Sequence, residues 1–252
     1  MAVYKSKGIV LRSIRFGEAD RILDLYTQDA GLISAIAKGI RRTKSRFGAR
    51  LEPLSCVDFM AYQGRTLDTI TQAEVLRSFH VVREDLARFE AAGGMVRAVR
   101  ALSGGDEADR RVFNLLYKAL DTLEGQNTGY KSVEAAFGLK LSILAGYAPQ
   151  IDTCLNCGAA PEVAGKNPYF APSLGGVLCS ECRAASDDSF PIPPETLERL
   201  KLQIERPLRE AASEDMQEQS VLRVVRSHLL AHAPGNVSGA TAGMKRLNST
   251  TT

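Results

Sequence analysis

Gly8-Ile9-Val10-Leu11-Arg12-Ser13-Ile14 and, after the polar break Gly17-Glu18-Ala19-Asp20, Arg21-Ile22-Leu23-Asp24-Leu25-Tyr26-Thr27 are two β-branched, apolar runs bounded by turn residues. Each is too short for a helix and reads as a strand. A third run, Leu32 to Lys38, follows the turn Gln28-Asp29-Ala30-Gly31. Cys56 to Tyr62 and Leu67 to Gln72 flank the tight turn Gln63-Gly64-Arg65 and complete a set of five. Five short strands and one long connection fit a small closed barrel of the oligonucleotide-binding (OB) type. An open sheet would leave two edges to protect.

From about residue 83 the apolar period becomes helical. Val112, Leu115, Leu116, Ala119, Leu120 and Leu123 form one continuous stripe. Leu86 to Leu102 is helical but carries Gly93-Gly94, which implies either a break or close packing. Ser132 to Ala145 is apolar around most of its circumference and is expected at the centre of the bundle. Pro193-Pro194 opens a further helix that Pro207 ends, and Ser213, with Glu214 and Asp215 behind it, is the expected N-cap of the last one. The fold class is therefore α+β and multidomain, with separate cores expected. The barrel takes residues 1–80, a helical domain 81–150 and 186–233, an inserted zinc knuckle 151–185, and a tail expected to be disordered 234–252.

The inserted segment holds the most specific motif in the chain. Cys154, Cys157, Cys179 and Cys182 form two Cys-x-x-Cys pairs, the spacing that offers four thiolates to one tetrahedral zinc ion. Four sulfur ligands leave no open position for water, so the expected metal is structural. The fifth cysteine, Cys56, has no local partner and reads as a small buried apolar residue. Thiols used for metal binding suit a reducing compartment, and a cytoplasmic location is expected. No stretch approaches the length of a membrane-spanning helix.

A net charge of +3 conceals an asymmetry. Residues 1–80 carry 13 Lys and Arg against 8 Asp and Glu, whereas the rest of the chain carries 19 against 21. The positive field belongs to the barrel and points to an anionic partner, with nucleic acid first among the candidates. Its focus is the connection from Lys38 to Arg50, which holds Lys38, Arg41, Arg42, Lys44, Arg46 and Arg50 and no acid. Gly39 and Gly48 would let the backbone approach a phosphate, Thr43 and Ser45 add neutral donors, and Phe47 offers a stacking face. Arg12, Arg15 and Arg21 would extend the track. The bland alternative is a solvated loop.

Enzymatic readings find little support. His80, His228 and His232 are the only histidines, and Leu229 stands where a zinc protease needs its glutamate. His228 and His232 read as a polar helix face. The His-x-Glu of a zinc deaminase and the phosphate-cradling Gly-x-x-x-x-Gly-Lys are both missing. The expectation is a binding protein without catalytic residues. A rival within that class is an RNA- or protein-binding factor of transcription or translation built from the same barrel and zinc ribbon. An unrecognised hydrolase ranks last.

Several of these residues together resemble a known family. Gly17-Glu18-Ala19-Asp20-Arg21, Thr27, Gly31, Ala37-Lys38-Gly39, Arg41-Arg42, Lys44-Ser45-Arg46 and Leu51-Glu52-Pro53-Leu54 are similar to the N-terminal domain of the RecO family of bacterial DNA repair proteins. Phe137 to Pro149, the two cysteine pairs, Phe170 and Gly175-Gly176 resemble that family's third helix and zinc knuckle in the same order. The resemblance covers about residues 1 to 232. It implies an OB barrel before a helical domain, and a recombination mediator that binds single- and double-stranded DNA and anneals complementary strands. It also implies work with RecR and single-stranded-DNA-binding protein to help load the RecA recombinase at gaps, in the bacterial cytoplasm at the nucleoid, with zinc as the only cofactor. The family's expected basic C-terminal segment is reduced here to Lys245 and Arg246.

Overall fold

The computed structural model describes residues 2–45, 47–103, 108–161, 166–211 and 218–233. Strands β1 (Val3–Phe16), β2 (Asp20–Thr27), β3 (Gly31–Ala37), β4 (Cys56–Tyr62) and β5 (Asp68–Arg77) close into a barrel in the order β1-β2-β3-β5-β4. Fourteen residues let β1 serve two neighbours, β4 along Val3–Ile9 and β2 along Gly8–Phe16. Closure comes from a short parallel seam, Ala35 beside Asp68 and Ile36 beside Thr69. Alternation fills the barrel with Val10, Leu23, Leu25, Ala35, Val57, Phe59, Ala61 and Ile70. β5 runs five residues beyond the end expected from sequence, because bulges at Cys56/Val57 and Met60/Ala61 shift its register and hide the two-residue period.

The opposite parity of the same strands faces the helices. Ile9, Leu11, Tyr26 and Cys56 belong to one continuous core with Met95, Leu116, Phe137 and Leu200. The barrel interior and the knuckle have clusters of their own, but the helical core uses the barrel's outer wall as one side. Phe79, buried with a left-handed φ of 48°, turns the chain from β5 into α1 (His80–Glu84) and packs edge-on against Tyr117.

Helices α2 (Leu86–Leu102), α3 (Arg110–Gly125), α4 (Tyr130–Leu144), α5 (Pro194–Glu205), α6 (Leu208–Ala211) and α7 (Glu218–Ala231) form the bundle. As the composition of α4 predicts, it is central and touches α2, α3, α5, α6 and α7. Asp85 caps α2 by accepting the Arg88 N–H. The Arg88 guanidinium then donates to the carbonyls of Leu123 and Gln126 at the end of α3 and lies 5.1 Å from the Tyr130 ring centre. One side chain thus joins three helices. Ser213, Glu214 and Asp215, expected to start the last helix, lie outside the described residues.

Gly93-Gly94 does not break α2. The buried Glu134 carboxylate, held by Arg226 through two hydrogen bonds of 2.9 Å, rests on Gly94, where a Cβ would come within 1.9 Å of Oε1. At Gly93 the nearest neighbour is the flexible end of Arg97 at 3.3 Å. Gly94→Ala should therefore cost about 2 kcal/mol or more by pushing the buried Glu134 carboxylate out of its place against α2. Gly93→Ala should be neutral or stabilise by up to ~1 kcal/mol through helix propensity. Urea unfolding of the two variants checks the contrast.

Candidate nucleic-acid interface and metal centre

The β1–β2 hairpin places Arg15 opposite Arg21, and β2–β3 pairing places Arg21 opposite Ala37, immediately before Lys38. Both arginines lie on the parity of the barrel interior, at its mouth; Arg21 is half-buried and donates to Ser13 Oγ at 3.1 Å. The Lys38–Arg50 connection returns to this hairpin. Gly39 N–H donates to Asp20 Oδ1 at 2.7 Å, Arg41 N–H to the Ala19 carbonyl at 2.9 Å, and Arg41 Nη1 to the Glu18 carbonyl at 2.8 Å. Arg15, Arg21, Lys38 and Arg41 are thereby gathered at one end of the barrel, with Arg42 and Lys44 following in tight turns. Arg12, Arg15, Lys38, Arg41, Arg42, Lys44 and Arg50 are exposed, and Arg46 lies outside the described residues.

One expectation for this loop needs correction. Phe47 offers no stacking face: it is 1% exposed and packs with Leu51 inside the barrel, where the loop needs an apolar anchor. Gly39 and Gly48 serve left-handed turns, with φ of 69° and 51°. The Ser45 hydroxyl is engaged as well, accepting the Phe47 N–H at 3.2 Å.

Arg12 is separated from this group. A bulge between Val10 and Arg12 turns it to the outer face, opposite Asp24, whose carboxylate takes Arg100 at 3.3 Å and the Ser34 hydroxyl at 2.9 Å. On that face Ile14 and Phe16 are 38% and 50% exposed. Sequence alone does not single out Phe16 from the core aromatics; its one signal is the place just before the positive-φ Gly17.

The four expected ligands meet. Hairpin strands β6 (Tyr169–Ala171) and β7 (Gly176–Leu178), with β8 (Phe190–Pro191) beside β6, deliver Cys179 to the turn that carries Cys154 and Cys157. That turn is closed by Gly158 N–H to the Cys154 carbonyl and by Cys154 N–H to the Ala159 carbonyl, both 2.8 Å. All four sulfurs lie within 4.8 Å of one another, and Cys157 and Cys179 are 3.9 Å apart. Zinc–sulfur bonds of about 2.3 Å in a tetrahedron require sulfur separations of about 3.8 Å, so the set fits zinc. Electrostatics agree. Burial opposes ionisation of Cys154, yet backbone N–H groups outweigh it and lower that thiol. Asn156 Nδ2 favours the Cys182 thiolate, but the adjoining sulfurs raise that thiol, and a cation would relieve the conflict. The knuckle's own core is only Cys154, Ala171, Leu178, Cys179 and their neighbours, too small to hold a fold without a staple. Four thiolates around one cation would leave no open position for water.

His228 is not part of a polar face, contrary to the sequence reading. It is 2% exposed, donates from Nε2 to the Tyr147 carbonyl at 2.7 Å, and meets Phe170 of β6 edge-on, fastening the knuckle to α7. Its Nδ1 is buried with no partner among the described residues.

These elements define a class: an OB barrel with a basic end, fused to a helical bundle that carries a four-thiol knuckle. Two family models match the chain, Recombination protein O N terminal over residues 1–79 and Recombination protein O C terminal over residues 83–237. The chain is 64% identical over 242 residues to the DNA repair protein RecO of Rubrobacter xylanophilus, covering 96% of both proteins. It is 40% identical to the RecO proteins of Bifidobacterium longum subsp. infantis, over 71% of this chain and 74% of that one, and of Thermobifida fusca, over 73% and 75%. The chain belongs to the RecO family of DNA repair proteins.

Two outcomes follow for the metal and the histidine. The protein as isolated should carry about one zinc per chain, measured by a colorimetric chelator after unfolding, and Cys179→Ser should abolish it. Burial lowers His228 to a pKa of about 4 from 6.5, so the unfolded chain takes up the proton first. Stability should fall as pH drops from about 6.5 towards 4, by up to ~3 kcal/mol from this group. Denaturant titrations at several pH values should show a shallower decline in His228→Gln.

Proposed function

We propose that the protein is a recombination mediator that binds single- and double-stranded DNA and anneals complementary strands. Residues 1–80 are the DNA-binding unit, 81–150 and 186–233 a docking body, and 151–185 a zinc-braced knuckle. The observation that carries this reading is the basic connection locked onto the barrel end, since cations held in place lose less freedom when phosphates neutralise them. Lys38, Arg41, Arg42, Lys44, Arg46 and Arg50 take backbone phosphates, with Arg15 and Arg21 beside them and Arg12 on the adjoining face. Screening repulsion between two strands speeds annealing without any bond being made or broken, so no catalytic group is needed.

Membership in a DNA repair family supports the same reading. In this reading RecR and single-stranded-DNA-binding protein are the partners, RecA loading at gaps is the outcome, and the bacterial cytoplasm at the nucleoid is the location. None of the described helices is long and apolar enough to cross a membrane.

Reversing Arg41, Arg42, Lys44 and Arg46 to glutamate should abolish oligonucleotide binding without loss of fold. With six phosphate contacts on a single strand, the parent protein should show a logarithmic salt slope of about −4, from roughly 0.7 per contact. Fluorescence anisotropy at several salt concentrations measures both; unchanged affinity and slope in the variant would contradict the assignment.

A further inference from the structure

The barrel's outer wall is covered by helices only part of the way along β1–β2–β3. Ile9, Leu11 and Tyr26 are buried against the bundle, and the cover ends near the Asp24–Arg100 pair. Beyond that point the outward residues form an apolar strip. Ile14 lies opposite Ile22, Ile22 opposite Ile36, and Phe16 stands two residues past Ile14 on the same parity. Phe16 is half exposed at the tip of the hairpin to which the basic loop is tied through Glu18, Ala19 and Asp20.

Three acids lie near the strip: Asp24 is paired with Arg100 and accepts from Ser34, Asp20 accepts the Gly39 N–H, and the exposed Glu18 sits past Phe16 at the hairpin tip. Arg12 rims one side, and Lys38 follows β3 directly on the other; both are exposed. An apolar face with an aromatic at its head and cations along both margins suits a ligand with flat apolar faces and an anionic backbone.

We propose that this outer strip, headed by Phe16, seats the unpaired bases of a single nucleic-acid strand whose phosphates lie on Arg12, Lys38 and the basic loop. The inference rests on the nucleic-acid reading above and sharpens it. Paired bases are sequestered in their stack and cannot lie on Phe16, so the strip favours single strands over duplex, whereas the loop's phosphate contacts serve both. It also gives Arg12, on a different face from Arg15 and Arg21, a part in the same track.

The test uses the full chain with Phe16→Ala and Phe16→Trp. In anisotropy titrations with a labelled oligo-dT strand and a duplex of equal length, Phe16→Ala should weaken the single strand by between about fivefold and a hundredfold. Its duplex affinity should stay within twofold, and its salt slope should be unchanged because no phosphate contact is lost. The chain contains no tryptophan, so Phe16→Trp introduces a lone indole. It should keep parent affinity, and its fluorescence should be quenched by oligo-dT and not by duplex. Single-strand binding by Phe16→Ala within twofold of the parent, with the loop reversal still abolishing it, would overturn the strip alone and leave that face to a protein partner. Equal losses on strand and duplex would overturn the base-stacking role. A parent chain that ignored both oligonucleotides would sink the broader reading and the strip with it.

Discussion

Phe47 and Leu51, buried in the barrel, hold down a loop that would otherwise swell. Six cations in thirteen residues repel one another, but in water each pair separated by about 10 Å costs only a few tenths of a kcal/mol and salt screens it further. Burying one large apolar side chain contributes ~1.5–3 kcal/mol. Two such anchors, with the Asp20 and Glu18 contacts at the loop's start, offset the screened repulsion and fix where the positive charge sits. The field of the barrel is thus a consequence of its packing. Without the anchors the same sequence would be a solvated, expanded basic arm.

The knuckle solves a different problem by similar logic. Its three short strands and few buried residues cannot order a hairpin by apolar burial alone. Four thiols brought together supply the missing constraint once a cation neutralises their mutual repulsion. Phe170 and His228 then pass that order to α7, and Arg88 and the Glu134–Arg226 pair lock the helices to one another. Because the helical core includes the outer wall of the barrel, the knuckle, bundle and DNA-binding candidate are mechanically joined.

Much of this was legible in the chain because the determinants are local. β-Branched apolar runs between turn residues mark the first four strands, the stripe from Val112 to Leu123 marks α3, and Cys-x-x-Cys spacing marks the metal ligands. What escaped depends on neighbours distant in sequence. The full length of β5 is hidden because bulges break its period, and the shared core is hidden because nothing local shows Tyr26 or Cys56 facing helices. The composition of the basic loop gives no sign that Phe47 turns inward, and two histidines one turn apart look polar until Tyr147 and Phe170 are seen to enclose one of them. Gly93-Gly94 signals a break or close packing, but only the Glu134 carboxylate tells which glycine matters.

The central claim is that charge held rigidly at the barrel end meets a nucleic-acid backbone. Ultraviolet crosslinking of the intact protein to an oligo-dT strand, followed by mass-spectrometric mapping of the modified peptides, tests it most directly. Crosslinks should concentrate in residues 12–21 and 38–50. Crosslinks confined to the helical bundle or the knuckle, with both barrel segments unmodified, would contradict it.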